Sequence, residues 1–323
     1  MSDAGRRALV TGAGGFIGHH LVSALKRQGW WVRGVDLKFP EYEPTAADEF
    51  LLLDLTRWDD CLTATRRVDE VFALAADIGG MGYIALHNAA ILHQNSLIST
   101  HSIEAARQNG VTRYFYASSA CVYPEYLQMS ADVAPLREED AYPAQPQDAY
   151  GWEKLITERL CTHYREDYGL ETRIARFHNI YGPLGTWRGG REKAPAAICR
   201  KVAEAKYSGN LTIDIWGDGE QTRSFCHIDD CVDGILRLMR SDYRLPMNIG
   251  QNRLVTINQL ADIVAGIAGV QIAKRHIPGP EGVRGRNCDT TRLRRELGWI
   301  PRVSLEDGFT GTYAWIESEL SRA

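Results

Sequence analysis

The stretch LVTGAGGFIG, residues 9–18, joins a short apolar run to glycines at 12, 15 and 18 and then to the helix-like pattern FIGHHLVSALKRQG. A strand that turns through glycines into a helix brings backbone N–H groups and the helix N-terminus to one point, where a pyrophosphate can sit. Eighteen residues after Gly18, the run WVRGVD ends in Asp36, placed to accept the hydroxyls of a ribose. The charge of Asp36 would repel a 2′-phosphate, so NAD is expected rather than NADP, with Arg33 and Lys38 as the nearby residues that argue the other way. The expected cofactor set is Gly12, Gly15, Phe16, Ile17, Gly18, Asp36 and Asp54, with Tyr150 and Lys154 farther along the chain. Asp54, after LLL, is read equally as a ligand to the adenine edge or as a helix cap.

The same rhythm continues downstream. FLLLDL, VDEVFALAA and RYFYASS are apolar without strict alternation and are separated by helix-like segments, as strands are when helices cover both faces of a parallel sheet. The fold class is therefore α/β, a Rossmann-like doubly wound parallel sheet with a smaller C-terminal α/β lobe that binds substrate. Residues 1–180 are expected to form the dinucleotide-binding domain, with some later segments packing back onto it, and residues 181–323 the substrate lobe. Within the second part a helix is expected from about Pro195 to Tyr207, a strand at LTIDIWG and a helix near Asp229, with Asp229 as its cap.

Composition narrows the partners. The 323 residues carry a net charge of −4 and no basic run, which argues against a nucleic-acid surface and for a small ligand. Seven cysteines, odd in number and with no C-x-x-C pair, fit neither a disulfide framework nor a zinc site, so no metal is expected and a reducing compartment is. The N-terminus enters a strand too soon for a signal peptide, and no apolar run reaches membrane-spanning length, so the protein is expected in the cytoplasm.

DAYGWEKL sets Tyr150 and Lys154 four residues apart on one helix face. An ammonium beside a phenol favours phenolate, which can take the proton of an alcohol that is losing hydride, so the lysine is expected to lower the tyrosine's pKa. Ser118 and Ser119 close another strand. With TGAGGFIG, SSACVYP, YGWEK, RFHNIYGP, WGDGEQTRSFCHIDD and LGWIP, nearly the whole chain resembles the sugar-nucleotide branch of the extended short-chain dehydrogenase/reductase family. The resemblance implies that Ser119, Tyr150 and Lys154 form the family's catalytic set, and that a sugar carbon is oxidised by tightly held NAD and later reduced.

The dehydratases of that branch have Asp and Glu after the Ser or Thr; here the residues are Ala120 and Cys121, so elimination of water loses its proton carriers. A 4-ketone makes the hydrogens on C3 and C5 acidic, and a cysteine near cations is suited to remove them. GGMGY, SSACVYPE and TWRGGREKAPAA are similar to the subgroup that acts on GDP-mannose at C3 and C5; a related subgroup has histidine at position 193. This likeness implies Cys121 as base and Lys193 as acid, a GDP-sugar as substrate and a homodimer. It also implies substrate contacts from Gly79, Met81, Gly82, Ser119, Asn179, Glu192, Lys193, Ala194, Lys201, Arg223 and Arg286, with Arg223 and Arg286 on the pyrophosphate and Arg284 competing for the latter place. The alternatives are the same machinery on another nucleotide sugar, such as a deoxy or heptose nucleotide, and a nucleotide-binding regulator without turnover.

Overall fold

The computed structural model describes residues 5–322. Strands β1 (Arg7–Thr11), β2 (Trp31–Asp36), β3 (Glu49–Leu52), β4 (Glu70–Ala73), β5 (Arg113–Ser119) and β6 (Glu171–Phe177) run parallel in one sheet, with a seventh strand, Met247–Ile249, on the outer side of β6. From that strand the order is β6-β5-β4-β1-β2-β3. The order reverses between β1 and β4, and an open α/β sheet presents its ligand crevice at such a switch, outside the carboxyl ends of the strands. Every residue of β1 after Arg7 is buried, which is why the strand reads as a continuous apolar run.

Helices α1 (Phe16–Arg27), α2 (Trp58–Ala64), α3 (Met81–Ile84), α4 (Asn88–Gln108) and α5 (Ala149–Tyr168) fill the crossovers. At Gly18 a Cβ would stand 2.1 Å from the Gly12 carbonyl oxygen, so α1 can lie this close to the end of β1 only without a side chain there. α5 begins with Asp148 accepting a hydrogen bond from the Gly151 N–H at 2.8 Å and ends at Gly169, whose φ of 72° suits glycine.

The second half of the chain serves both lobes. α6 (Ala194–Ser208) packs with the helices Ile257–Ala268 and Leu305–Arg322 around Ile198, Val202, Leu260 and Phe309, a core separate from the sheet. α7 (Ile228–Arg240) instead packs on α1, and Met247–Ile249 joins the sheet. α6 starts one residue before the position read from the sequence, and the strand at LTIDIWG spans Thr212–Trp216. The reading of Asp229 as the cap of α7 needs correction: His227 holds that position, its ring accepting from the Asp229 N–H at 3.3 Å, and Asp229 lies in the first turn. Among the described residues no helix is long and apolar enough to cross a membrane, and no cluster of metal-ligating side chains occurs.

One buried ion pair ties β6 to α5. Arg176 donates through Nε and Nη2 to the two oxygens of Glu158, at 2.9 and 2.6 Å, and through Nη1 to the Glu138 carbonyl at 2.7 Å. Both side chains are almost fully buried, so neither has water as a substitute partner. Glu158→Gln is expected to strand the guanidinium and cost about 3–5 kcal/mol of stability, read as a lower urea midpoint.

Candidate active site

The carboxyl ends of β1, β4 and β5 open into a cleft of about 1360 Å³, walled on the far side by α6 and the loops before it. A single drug-sized ligand needs roughly 300–1,000 Å³, so the cleft has room for a dinucleotide and a second ligand together. One end is built for the dinucleotide. The N-terminus of α1 opens toward it at Gly15, and a Cβ on Gly14 would lie 2.1 Å from the Lys38 carbonyl oxygen, so the turn packs this close to the chain after β2 only without a side chain there. The Gly14 N–H donates to Asp36 Oδ2 at 3.0 Å and the Leu37 N–H to Oδ1 at 2.7 Å, which holds the carboxylate at the rim with lone pairs left for a ribose. Gly12, Phe16, Ile17 and Gly18 line the same end.

The two cations that argued for a 2′-phosphate are spoken for. Arg33 is buried and donates to Glu49 at 2.6 Å and to the carbonyls of Ala64 and Arg66, while Lys38 pairs with Glu41 at 3.6 Å. The residues present therefore fit NAD. Asp54 lines the cleft but is not a helix cap: its Oδ1 accepts from the N–H and hydroxyl of Thr56, a local turn, and Arg57 holds the N-cap of α2.

Tyr150, Lys154, Ser119 and Cys121 meet on the cleft floor. α5 approaches so closely that a Cβ on Gly151 would lie 2.2 Å from the Cys121 carbonyl oxygen. The Ser119 hydroxyl oxygen accepts from the Cys121 N–H at 3.1 Å, and Lys154 Nζ stands 5.4 Å from the Tyr150 ring centre and 4.7 Å from that of Tyr116. The expected lowering of the phenol's pKa by Lys154 is not what this arrangement produces. Burial pushes the Tyr150 phenol well above its usual value, with Cys121, Glu153 and Asp148 raising it further and the nearby Ser119 hydroxyl pulling it back. Burial also lowers the pKa of Lys154, opposed first by Glu153.

Cys121 is half-buried, unlike the other six cysteines, and no cysteine forms a disulfide. Arg286, expected on the pyrophosphate, has its Nη1 3.5 Å from the Cys121 sulfur, with Nε donating to Gln128 at 2.6 Å. Pairing of Gly285–Arg286 with Thr222–Ser224 brings it there. Arg284 leaves the competition, since both its Nη atoms bind Asp218 at 2.8 Å near the surface. Arg223 lines the cleft while donating to the carbonyls of Thr222, Glu281 and Val283, and burial beside Arg286 works against its charge. Lys201 donates to the Asp214 carbonyl at 2.6 Å, and Asn179, at a φ of 44°, to that of Ser224 at 2.8 Å. Both of these polar heads thus hold the wall, and both residues line the cleft.

Lys193 is the N-cap residue of α6, and its side chain faces the cleft. Solvent reaches it through the opening, yet protein surrounds it closely enough to lower its pKa; Cys121 and Cys231 oppose that shift and Arg286 adds to it. Gly79, Met81, Gly82 and Ala194 line the same region, while Glu192 binds Arg200 at 3.1 Å.

A latch that the sequence did not reveal closes this end. Arg191 lies 3.8 Å over the Tyr83 ring and 3.3 Å from Asp77, its carbonyl accepts from the Gly80 N–H at 3.0 Å, and the Tyr83 hydroxyl donates to Asp77 at 2.9 Å. Gly80 has no room for a Cβ, which would come within 2.5 Å of the Glu192 carbonyl oxygen. Arg191→Ala is expected to remove about 1 kcal/mol from the latch, so amide exchange in residues 80–84 should quicken about five-fold by mass spectrometry.

Known proteins extend these observations. The chain is 52% identical to GDP-mannose 3,5-epimerase 1 of Oryza sativa subsp. indica over 98% of its own length and 83% of the relative's. It is 28% identical to the GDP-L-fucose synthase of Escherichia coli (strain K12), over 96% of each. Among solved structures, UDP-glucose 4-epimerase of Thermotoga maritima, determined with UDP-glucose, superposes with a TM-score of 0.88 at 28% identity, covering 97% of this chain and 99% of that one. The NAD dependent epimerase/dehydratase family model matches residues 8–250, from the first strand through Met247–Ile249. A glycine turn that fits NAD and a chain-long match of this kind have one meaning: the chain belongs to the NAD dependent epimerase/dehydratase family.

Proposed function

We propose that this chain epimerises GDP-D-mannose at C3 and C5 to give GDP-L-galactose, with GDP-L-gulose as the product of C5 inversion alone. The observation that carries the reading is the setting of Cys121, whose sulfur lies in the cleft, 3.5 Å from the Arg286 guanidinium, with the cation of Lys193 in the same cleft. The 52% identity to a GDP-mannose 3,5-epimerase supports the choice of substrate.

Tyr150 takes the proton of the C4 hydroxyl, with Ser119 and Lys154 beside it in the cleft. The chemistry supplied by bound NAD is reversible hydride acceptance, which leaves the cycle without net redox. While C4 is a ketone, the Cys121 thiolate takes the proton from C5, and the C–H electron pair moves into the enolate. Arg286 steadies the sulfur whenever it carries negative charge. Lys193 returns a proton to C5 on the opposite face; once exchange with water in the open cleft has taken the proton from the sulfur and restored that of the amine, a second exchange of the same kind inverts C3. Its lowered pKa eases that transfer, because a weaker ammonium is a stronger acid. Tyr150 hands its proton back when C4 becomes an alcohol again. Gly79, Met81 and Gly82 border the sugar, and Asn179, Glu192, Ala194, Lys201 and Arg223 its nucleotide side.

The working form we propose is a cytoplasmic homodimer. Six buried unpaired thiols suit a reducing compartment, and exposed Trp152 and Ile156 on α5 beside Leu92 on α4 suit a helix-face contact between two copies.

In deuterated water the wild-type protein should place deuterium at C3 and C5 of GDP-mannose, followed by NMR. Cys121→Ser should lower that exchange at least 100-fold, about 2.7 kcal/mol of barrier, while NAD affinity stays within a factor of three. Near-normal exchange by that variant would remove the cysteine as base. Lys193→Met is expected to permit exchange without inversion, since one face keeps its base while the other loses its acid.

A further inference from the structure

Glu153 directly precedes Lys154 in YGWEK, and nothing in the chemistry above uses it. Its side chain is only 1% exposed. Oε1 accepts three hydroxyls: Ser99 of α4 at 2.8 Å, Thr157 of α5 at 2.9 Å and Tyr116 of β5 at 3.1 Å. Oε2 has no hydrogen-bond partner and stands 3.8 Å from Lys154 Nζ. A buried carboxylate oxygen left bare toward an ammonium is a costly arrangement, and an apolar side chain would fill the same space more cheaply.

We propose that Glu153 is a positioning residue that acts through Lys154, its carboxylate clamped by three hydroxyls so that the lysine stays an ammonium beneath Tyr150. The proposal rests on the roles given above to Tyr150 and Lys154. The other groups facing the lysine do not replace Glu153. β5 presents the Tyr116 ring and the turn after β5 presents Cys121, while the Ser99 hydroxyl of α4 is given to Glu153. On α5 itself lie Tyr150, Cys161 and Glu158, and Glu158 is bound by Arg176 from β6. Burial lowers the lysine's pKa and Glu153 is the leading influence that raises it; the same carboxylate raises that of the Tyr150 phenol.

The sign of its removal follows. Turnover rises with pH as the phenol loses its proton and falls with pH as the ammonium loses its own. Without the neighbouring negative charge both events come at lower pH. Glu153→Gln keeps the volume and an oxygen for the three hydroxyls, so both limbs of the kcat/KM profile should move to lower pH by about one unit, a tenfold loss on the alkaline limb. Glu153→Asp, which draws the charge back by one methylene, should move them the same way by less. A merely structural residue would change the height of the profile and leave its position alone.

The profiles are measured on the NAD-loaded protein with the nucleotide sugar identified by deuterium exchange, beside Tyr150→Phe and Lys154→Met. Limbs of Glu153→Gln that coincide with the wild type, while those two variants are inactive, overturn the role of Glu153 alone. If Glu153→Gln does not fold, an unmoved profile of Glu153→Asp overturns it equally. Turnover retained by Tyr150→Phe and Lys154→Met would overturn the underlying assignment of the site.

Discussion

The chemistry of this chain depends on how near α5 comes to the turn after β5. At Gly151 the helix backbone rests against the Cys121 carbonyl, with no space for even a methyl group. That contact sets Tyr150 and Lys154, one helical turn apart, beside Ser119 and Cys121. α5 is held in place from the far side by the buried pair of Glu158 with Arg176, and its start is fixed by the Asp148 cap. Phenol, ammonium, hydroxyl and thiol thereby share one floor.

Burial governs the electrostatics of that floor. It raises the pKa of the Tyr150 phenol and lowers that of Lys154, and the cleft walls around the solvent-reached Lys193 lower that one too, so the charged form of each is disfavoured. Charged partners stand next to the reactive groups: Arg286 by the sulfur, Glu153 by Lys154. Such an interior loses stability to desolvation and gains groups whose proton affinity responds to what enters the cleft. The contacts of Arg191 with Tyr83 and Asp77 join two segments of the cleft wall, two residues before Lys193.

Much of this was legible in the chain itself. The doubly wound sheet, the NAD turn at Gly12–Gly18 with Asp36, the Tyr150–Lys154 pair and the helix ending at Gly169 all follow from short spacings, and backbone geometry converts such spacings directly into shape. Family likeness pointed to Cys121 and Lys193, which do share the cleft. What spacing could not carry was the partner of each charge. Arg286 meets Cys121 across 165 residues and Arg191 meets Asp77 across 114, encounters that depend on how two lobes pack. Glu153 was visible beside Lys154, but three hydroxyls from α4, α5 and β5 give it meaning. The phenol's pKa moved opposite to the direction inferred from a neighbouring lysine, because desolvation is a property of everything around a group. Local sequence thus determined the elements and the reactive residues, while the folded packing alone determined which charges face one another and how strongly water is kept from them.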